Sequence, residues 1–339
     1  MNYAQALFQA AHLLLLCLAV SHATRLQATT IRMPSVQPKG ADSYMCTKLA
    51  LDQDRDHYIV EFDPAASKET AHHMIVFGCS EPGSYEDAWD CGEMEGAGHS
   101  GYPAATVCAP GAQQQILWAW AKDKPNLALK LPKGVGFKVG GSTPNQYLVI
   151  QIHYMHPMKK PDTSGLTIKS TTDRMPKTAA TLLMVTGGGI AAHSKENFET
   201  ACLINEDVEM HPISFRTHTH GHGKVVSGWR VQRKGDSDEW QLVGKQDPQK
   251  PQMFYPANDV VIRQGDVVAA RCFMENDDDR DIMIGATRAD EMCNFYLMYW
   301  VDGDRILSDN TCFSPGPPNY YWQRDGGLTN IPDTDANTV

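Results

Sequence analysis

The hydrophobic pattern along the chain predicts strands rather than helices. Short runs rich in β-branched and aromatic residues recur between turn residues, and no long segment keeps the 3.6-residue spacing of an amphipathic helix. Gly and Pro separate the runs, as in Gly187-Gly188-Gly189. This pattern favours an all-β fold of two antiparallel β-sandwiches. The predicted strands are His57–Phe62, His72–Cys79, Tyr147–Tyr154, Thr181–Val185, Lys224–Val231, Asp266–Phe273 and Phe295–Val301.

The first residues are typical of an export signal. The apolar run Leu13–Val20 is too short to span a bilayer, and Ser21-His22-Ala23 places small residues at a cleavage site after Ala23. We therefore expect residues 1–23 to be a signal peptide, although they lack the Lys or Arg that usually precedes the apolar run of such a signal. No later window offers about 18 apolar residues in a row, so we expect no membrane anchor. The mature chain should be secreted, or lie in the secretory-pathway lumen or granules.

Composition and charge narrow the function classes. Of the 339 residues, 42% are hydrophobic and 21% are charged, which is ordinary for a globular chain of about two domains. The net charge is −10 and no Lys/Arg run is dense, so nucleic acid is not an expected partner. Strand evidence is weakest at Ser170–Thr178. We therefore expect domains at 40–176 and 177–325, followed by a frayed polar tail at 326–339.

The cysteines indicate disulfides. Eight remain after the signal, four before residue 110 and four after residue 200. An even count in an exported chain predicts four bridges whose pairing the spacing leaves open, and the absence of C-x-x-C disfavours a cysteine zinc site. The distribution suggests two separately cross-linked halves.

Two histidine motifs are candidates for metal binding. His218 and His220 stand at i and i+2, so on a strand both imidazoles lie on one face, with His222 two residues further on. A polar, solvent-facing strand is the alternative. His72 and His73 are adjacent and point to opposite faces, which excludes a same-face chelate. They can approach an ion from opposite sides, an arrangement that Cu(I) tolerates and tetrahedral zinc does not.

Two further residues extend these motifs. His153 lies in an apolar strand, where an imidazole needs a polar partner. It is either a third ligand beside His72 and His73 or a hydrogen-bonded core histidine. Met292 precedes Cys293, and a thioether beside imidazoles selects copper over zinc, although most of the 15 methionines are expected in the core. The chain contains no G-x-S-x-G, P-loop or H-E-x-x-H motif.

Taken together, these motifs resemble one family. In order and spacing they are similar to those of the copper type II, ascorbate-dependent monooxygenases, over about residues 40–325. The resemblance implies two jelly-roll-like β-sandwich domains that face each other across a solvent-filled cleft. It implies one electron-transfer copper on His72, His73 and His153, and a second copper, where O₂ reacts, on His218, His220 and Met292. The motifs are His72-His73-Met74, Gln151-x-His153-Tyr154, His218-Thr219-His220 and Asp290-Glu291-Met292-Cys293-Asn294.

The resemblance also implies a reaction. With O₂ and ascorbate, the chain would hydroxylate the α-carbon of a C-terminal glycine in peptides, the first step of peptide amidation. Arg216 lies on the strand face of His218, about 7 Å away, and its planar fork suits a carboxylate. Arg216, Asn294 and Tyr296 match the family residues that hold the substrate carboxylate, and Met298 continues that face into the pocket.

The resemblance further implies the disulfide pairing and a lyase step that a second enzyme would supply. About 15 mostly polar residues follow Arg324, so we expect no fused lyase and a separate lyase as partner. Two alternatives are a sister hydroxylase acting on a phenethylamine, which Arg216 disfavours, and a copper-binding β-sandwich without turnover. The implied disulfides are Cys46–Cys91, Cys79–Cys108, Cys202–Cys312 and Cys272–Cys293.

Overall fold

A computed structural model describes residues 25–66, 70–92, 100–121, 128–285 and 289–339. The expected signal peptide at 1–23 lies outside these ranges. The described part confirms the all-β prediction, since it holds 22 strands and one short helix. The strands of the first half are β1 (Gln27–Arg32), β2 (Ser43–Ala50), β3 (Asp56–Ala65), β4 (His73–Cys79), β5 (Trp89–Asp90), β6 (Gln114–Ala121), β7 (Leu129–Lys130), β8 (Val135–Gly140), β9 (Tyr147–Tyr154) and β10 (Gly165–Thr171).

The second half follows the linker 172–176. Its strands include all four that the pattern predicts after residue 180, with somewhat longer bounds. The elements are β11 (Lys177–Thr186), β12 (Gly189–Ile190), β13 (Ser194–Leu203), β14 (Glu209–His218), β15 (Gly223–Lys234), β16 (Ser237–Gln246), β17 (Tyr255–Pro256), β18 (Ile262–Arg263), β19 (Val267–Asn276), β20 (Ile282–Met283), β21 (Asn294–Asp302), β22 (Thr311–Ser314) and α1 (Asp333–Ala336).

Each half is a sandwich of two sheets. In the first half, the sheet β5-β2-β9-β4-β6 packs on β1-β10-β3-β8, and one apolar core lies between them. In the second half, β13-β19-β15-β16 packs on β11-β21-β14-β17 around a second core. The inward residues of β4 and β9 are almost all buried, which explains their near-continuous apolar sequences.

The two halves share a sheet. β11 runs parallel to β8, with Lys177 beside Val135 and Ala179 beside Phe137. The strands β1-β10-β3-β8-β11-β21-β14-β17 therefore form one continuous sheet. Tyr296 of β21 also packs in the core of the first half. The shared sheet contains β14 and β21, and through Tyr296 it contacts the core that residues of β4 and β9 also build.

The C-terminal segment differs from the expectation. Residues 326–339 do not fray, because Leu328 (1% exposed) and Ala336 (0%) pack in an apolar cluster with Trp322. Asp333 accepts a hydrogen bond from the buried Arg271 at 2.8 Å. This polar segment is ordered in part because its Asp333 carboxylate pairs with the guanidinium of Arg271, which is shielded from water.

The disulfides lie two in each half. The Cα–Cα distances are 5.5–5.9 Å, in the usual range. In the ranges that the structure describes, no helix is both long and apolar enough to cross a membrane. The pairs are Cys46–Cys91, Cys79–Cys108, Cys202–Cys312 and Cys272–Cys293, as the resemblance implies.

Candidate active site

Three histidines of the first half converge. β4 and β9 are antiparallel neighbours, and their register places His73 directly opposite His153. His72 precedes β4, and its backbone N–H donates to the carbonyl of His153 at 2.9 Å. One ring nitrogen from each of His72, His73 and His153 lies within 4.8 Å of the others. We call these residues the histidine cluster.

The rings of the histidine cluster face one another at large angles. The plane of His153 is inclined by 53° to that of His73 and by 89° to that of His72. Tyr44 stacks on His153 with 4.2 Å between ring centroids, and Asp42 Oδ1 lies 3.3 Å from His153 Nε2. Sequence reasoning missed both residues, since they lie more than 100 positions from His153 and come together only through the β2–β9 register.

The electrostatic surroundings of His73 favour its neutral imidazole. Although the His73 ring keeps some exposure, desolvation by the surrounding protein holds its pKa well below the ordinary value, and His153 and Arg216 lower it further. Because only a neutral imidazole offers a lone pair, such a histidine is ready to bind a metal without first losing a proton.

The second set of candidate ligands lies at the end of β14. His218 is the last strand residue, and its Nε2 lies 3.3 Å from Met292 Sδ. The ring of His220 is 5.5 Å from that of His218, at 81°. His220 was expected on the strand with His218, but it lies in the turn that follows. We call His218, His220 and Met292 the methionine cluster.

Hydrogen bonds orient both imidazoles of the methionine cluster. His218 Nδ1 is hydrogen-bonded to Gln252 Oε1, and His220 Nδ1 donates to the carbonyl of Asp290 at 2.8 Å. Each bond selects the tautomer whose lone pair is on Nε2, the arrangement found in metal-ligating histidines. The carbonyl of Gln252 also accepts from Arg216 Nε at 2.9 Å, so one residue positions both a candidate ligand and the candidate anchor.

Glu291 ties the turn to Met292. Its carboxylate is fully buried and accepts four hydrogen bonds: from the backbone N–H of His220 (2.8 Å), His222 (2.7 Å) and Met292 (3.1 Å), and from His222 Nδ1 (2.9 Å). The His222 ring therefore lies between Glu291 and Asp278, whose Oδ2 is 3.4 Å from His222 Nε2. Sequence reasoning did not single out Glu291, although a carboxylate between two motif residues is a signal.

Replacing Glu291 by Gln is expected to weaken copper binding at the methionine cluster by about 10- to 100-fold. This is the usual effect of losing a residue that orients the metal ligands through hydrogen bonds. The side-chain NH₂ group of Gln would face the backbone N–H groups that now donate to the carboxylate, so a donor would meet a donor. The measurement is a competitive chelator titration, with urea unfolding of the copper-free protein alongside. Glu199→Gln is the matched control, because Glu199 is equally buried, binds Arg271 and lies apart from both clusters. Equal copper affinity in the two variants would contradict the assigned role.

The candidate substrate residues form a polar row beside the methionine cluster. Arg216 (2% exposed) lies opposite Tyr296 on β21, with its guanidinium carbon 5.0 Å from the Tyr296 ring centroid. Asn294 donates to Tyr296 Oη at 3.3 Å, and its own buried Oδ1 accepts no hydrogen bond within the described residues. Met298 continues the row, and its sulfur accepts from Ser214 at 3.4 Å.

The two clusters line one narrow cavity. His73 of the first half and Arg216, His218, Met292 and Tyr296 of the second surround a space of about 20 Å³. This is room for about one water molecule. The cavity lies where the two halves meet, in the position of the cleft that the resemblance implies.

The donor sets form two clusters that could each hold a metal ion. Three imidazoles form one cluster, and two imidazoles with a thioether form the other, a soft set that suits copper better than zinc or calcium. Two family models match the chain: the N-terminal domain of the copper type II ascorbate-dependent monooxygenases at residues 29–161, and the C-terminal domain at 177–325. The chain belongs to this family, which implies copper as the metal, ascorbate as the reductant and O₂ as co-substrate.

Named relatives agree with this assignment. The chain is 39% identical over 310 residues to peptidyl-glycine alpha-amidating monooxygenase A of Xenopus laevis, covering 89% of this chain and 31% of that protein. It is 37% identical to the Rattus norvegicus enzyme, covering 87% of this chain and 29% of that protein. Human dopamine beta-hydroxylase is 25% identical, over 81% of this chain and 45% of that protein. The chain spans about a third of the length of its amidating relatives.

Proposed function

We propose that the chain hydroxylates the α-carbon of a C-terminal glycine in peptides, using O₂ and ascorbate. The observation that carries the proposal is the row Arg216, Asn294 and Tyr296 directly beside the methionine cluster. A carboxylate anchor in this position places the carbon next to the carboxylate against His218 and Met292. The names of the amidating relatives support the same substrate class.

The anchor residues have complementary tasks. The Arg216 guanidinium presents parallel N–H donors to both carboxylate oxygens, the geometry in which Arg binds carboxylates best. Tyr296 Oη lies beside it to donate a further hydrogen bond. Asn294 Oδ1, buried and without a hydrogen bond in the described structure, accepts the N–H of the terminal glycine. The peptide is thereby fixed at both sides of its α-carbon.

The confined space beside the methionine cluster favours the smallest residue. At about 20 Å³ the cavity must widen even to admit a terminal glycine, and a Cβ would require Tyr296 or Met292 to move further.

The two clusters would hold copper in different roles. When bound, copper supplies one-electron transfer and the activation of O₂. His72, His73 and His153 would hold the ion that receives electrons, and His218, His220 and Met292 the ion beside the substrate. The balance is peptidyl-glycine, O₂, two electrons and two protons giving peptidyl-hydroxyglycine and water; ascorbate supplies both electrons.

The setting of the reaction belongs to the same proposal. The domains 40–176 and 177–325 would each hold one copper. The protein would act in the lumen of the secretory pathway or its granules, or outside the cell, where disulfides persist. A separate lyase would convert the hydroxyglycine product into amide and glyoxylate.

The test uses copper-loaded protein with O₂, ascorbate and a short peptide ending in glycine, with product read by mass spectrometry. We expect gain of one oxygen on this peptide and none on the matched peptide ending in alanine. Equal oxidation of both peptides would contradict the assigned anchor. No oxygen gain with two coppers bound would refute the function and bring forward amine hydroxylation or copper binding alone.

A further inference from the structure

A carboxylate from a neighbouring segment reaches one imidazole of the histidine cluster. Asp42 Oδ1 lies 3.3 Å from His153 Nε2, and the Asp42 side chain is 32% exposed whereas that of His153 is 8% exposed. Because an ionised carboxylate can only accept hydrogen bonds, His153 Nε2 carries the proton in this contact. The lone pair of the neutral ring is then on Nδ1, which becomes the atom that can bind a metal.

The backbone holds Asp42 in this position. Asp42 immediately precedes β2, in which Tyr44 is paired with His153 and stacks on its ring. The N–H of Asp42 donates to the carbonyl of Met155 at 3.3 Å, so the contact between β2 and β9 continues one residue beyond the strands. The φ angle of Asp42 is 50°, in the left-handed region that Asp and Asn adopt more readily than most residues. Asp42 therefore suits both this backbone and the contact with an imidazole.

The position of the carboxylate indicates what the contact does. Asp42 is separated by one imidazole from the place where the cluster would hold its ion, and it does not line the narrow cavity beside the methionine cluster. A carboxylate that accepts from a metal-binding histidine fixes the ring and makes its other nitrogen a stronger donor. Its negative charge also favours the more positive of two oxidation states of a nearby ion. Both effects act on the ion of the histidine cluster and not on the peptide.

We propose that Asp42 is a positioning residue that stabilises Cu(II) relative to Cu(I) at the histidine cluster and so lowers the reduction potential of this site. The inference rests on the proposed function and concerns how its electrons are supplied. In each turnover one electron leaves the site for the methionine cluster, Cu(I) becoming Cu(II), and one electron from ascorbate restores Cu(I). A lower potential makes the reduced site a better electron donor.

Two substitutions at Asp42 separate its charge from its hydrogen bond. Asp42→Asn keeps an acceptor oxygen and tolerates the positive φ, so it removes mainly the charge. Asp42→Gly adopts the same backbone freely and removes both the charge and the acceptor. Asp52→Asn is the matched control, because the Asp52 side chain is 28% exposed and lies 3.7 Å from the imidazole of His57, which belongs to neither cluster.

The test measures the reduction potential of a single copper in the full chain. The background carries His218→Ala and His220→Ala, so that the histidine cluster alone keeps its imidazoles, and Cu(II) is followed by EPR during a redox titration. Asp42→Asn is expected to shift the Cu(II)/Cu(I) equilibrium toward Cu(I) by about tenfold, a rise of about 59 mV for a one-electron couple. A loss of folding stability alone would leave this potential unchanged. Asp52→Asn should have the potential of the background chain.

The variant without an acceptor tests the orientation of the ring. Asp42→Gly should raise the potential at least as far as Asp42→Asn, and it should weaken Cu(II) binding by about 10- to 100-fold, because His153 is no longer held. Pulsed EPR detects the remote nitrogen of a copper-bound imidazole, whose coupling depends on the hydrogen bond of its N–H. We expect this signal to change for one imidazole in Asp42→Gly and for none in Asp52→Asn.

The outcomes distinguish this inference from the proposed function. An unchanged potential in both Asp42 variants, or an equal shift in Asp52→Asn, would overturn the role of Asp42, while copper held by the histidine cluster would still support the proposed function. If the background chain binds no copper at the histidine cluster, the proposed function itself fails.

Discussion

Replacing His153 by alanine is expected to remove one of two bound coppers and to abolish turnover with ascorbate. His153 is 6% exposed and lies opposite His73, and one of its ring nitrogens lies within 4.8 Å of those of His72 and His73. Removing a residue that only hydrogen-bonds to a metal ligand lowers metal affinity or activity about 10- to 100-fold. Removing a ligand itself should therefore lower turnover at least about a hundredfold. Copper per chain is counted by mass spectrometry, and turnover is followed with a glycine-extended peptide.

His156→Ala is the matched control for this prediction. It removes the same residue type three positions along the chain, from an exposed site outside the cluster. It should keep both coppers and full turnover. The methionine cluster of His153→Ala should still bind one copper, which chelator titration detects. Two retained coppers in His153→Ala would contradict the assignment of the histidine cluster.

Replacing Arg216 by methionine is expected to lower kcat/KM for glycine-extended peptides by at least about 100-fold, roughly 3 kcal/mol. Methionine keeps much of the apolar stem that packs near Tyr296 but has no donors for a carboxylate. The loss should fall mainly on KM, because the guanidinium binds the carboxylate in both ground and transition states. Initial rates over a range of peptide concentrations separate the two constants.

A peptide ending in glycinamide completes this comparison. It removes the carboxylate from the substrate instead of the guanidinium from the protein. The wild type should strongly prefer the acid over the amide, and Arg216→Met should show almost no preference. Copper per chain must stay at the wild-type value, which shows that His218 two residues away is undisturbed. If the variant still distinguishes the acid from the amide, another residue anchors the carboxylate.

The positions of the main strands could be predicted from the sequence, because the signals for strands are local. Strand periodicity located β9 with its observed bounds and placed β4 within one residue. His72, His73 and His153 come together as the motifs indicate, because β4 and β9 are neighbours in register. Arg216 and Tyr296 also share one face, since they are paired across β14 and β21.

Other features depend on contacts that no local pattern records. Gln252 is 34 residues from His218 along the chain, yet it orients that imidazole. Tyr44 reaches His153 only through sheet pairing. His220 leaves the strand because its backbone N–H binds Glu291 in a turn, which strand periodicity does not anticipate. The continuous sheet through β8 and β11 likewise follows from tertiary packing rather than from either sequence segment.

The proposed reaction inserts one oxygen atom from O₂ at the α-carbon of a terminal glycine. The most direct measurement uses a peptide whose terminal glycine carries two α-deuteriums, with ¹⁸O₂ and ascorbate, on the copper-loaded protein. We expect the product to lose one deuterium and to gain one ¹⁸O at that carbon, as the proposed reaction requires. A product that keeps both deuteriums, or carries oxygen derived from water, would contradict it.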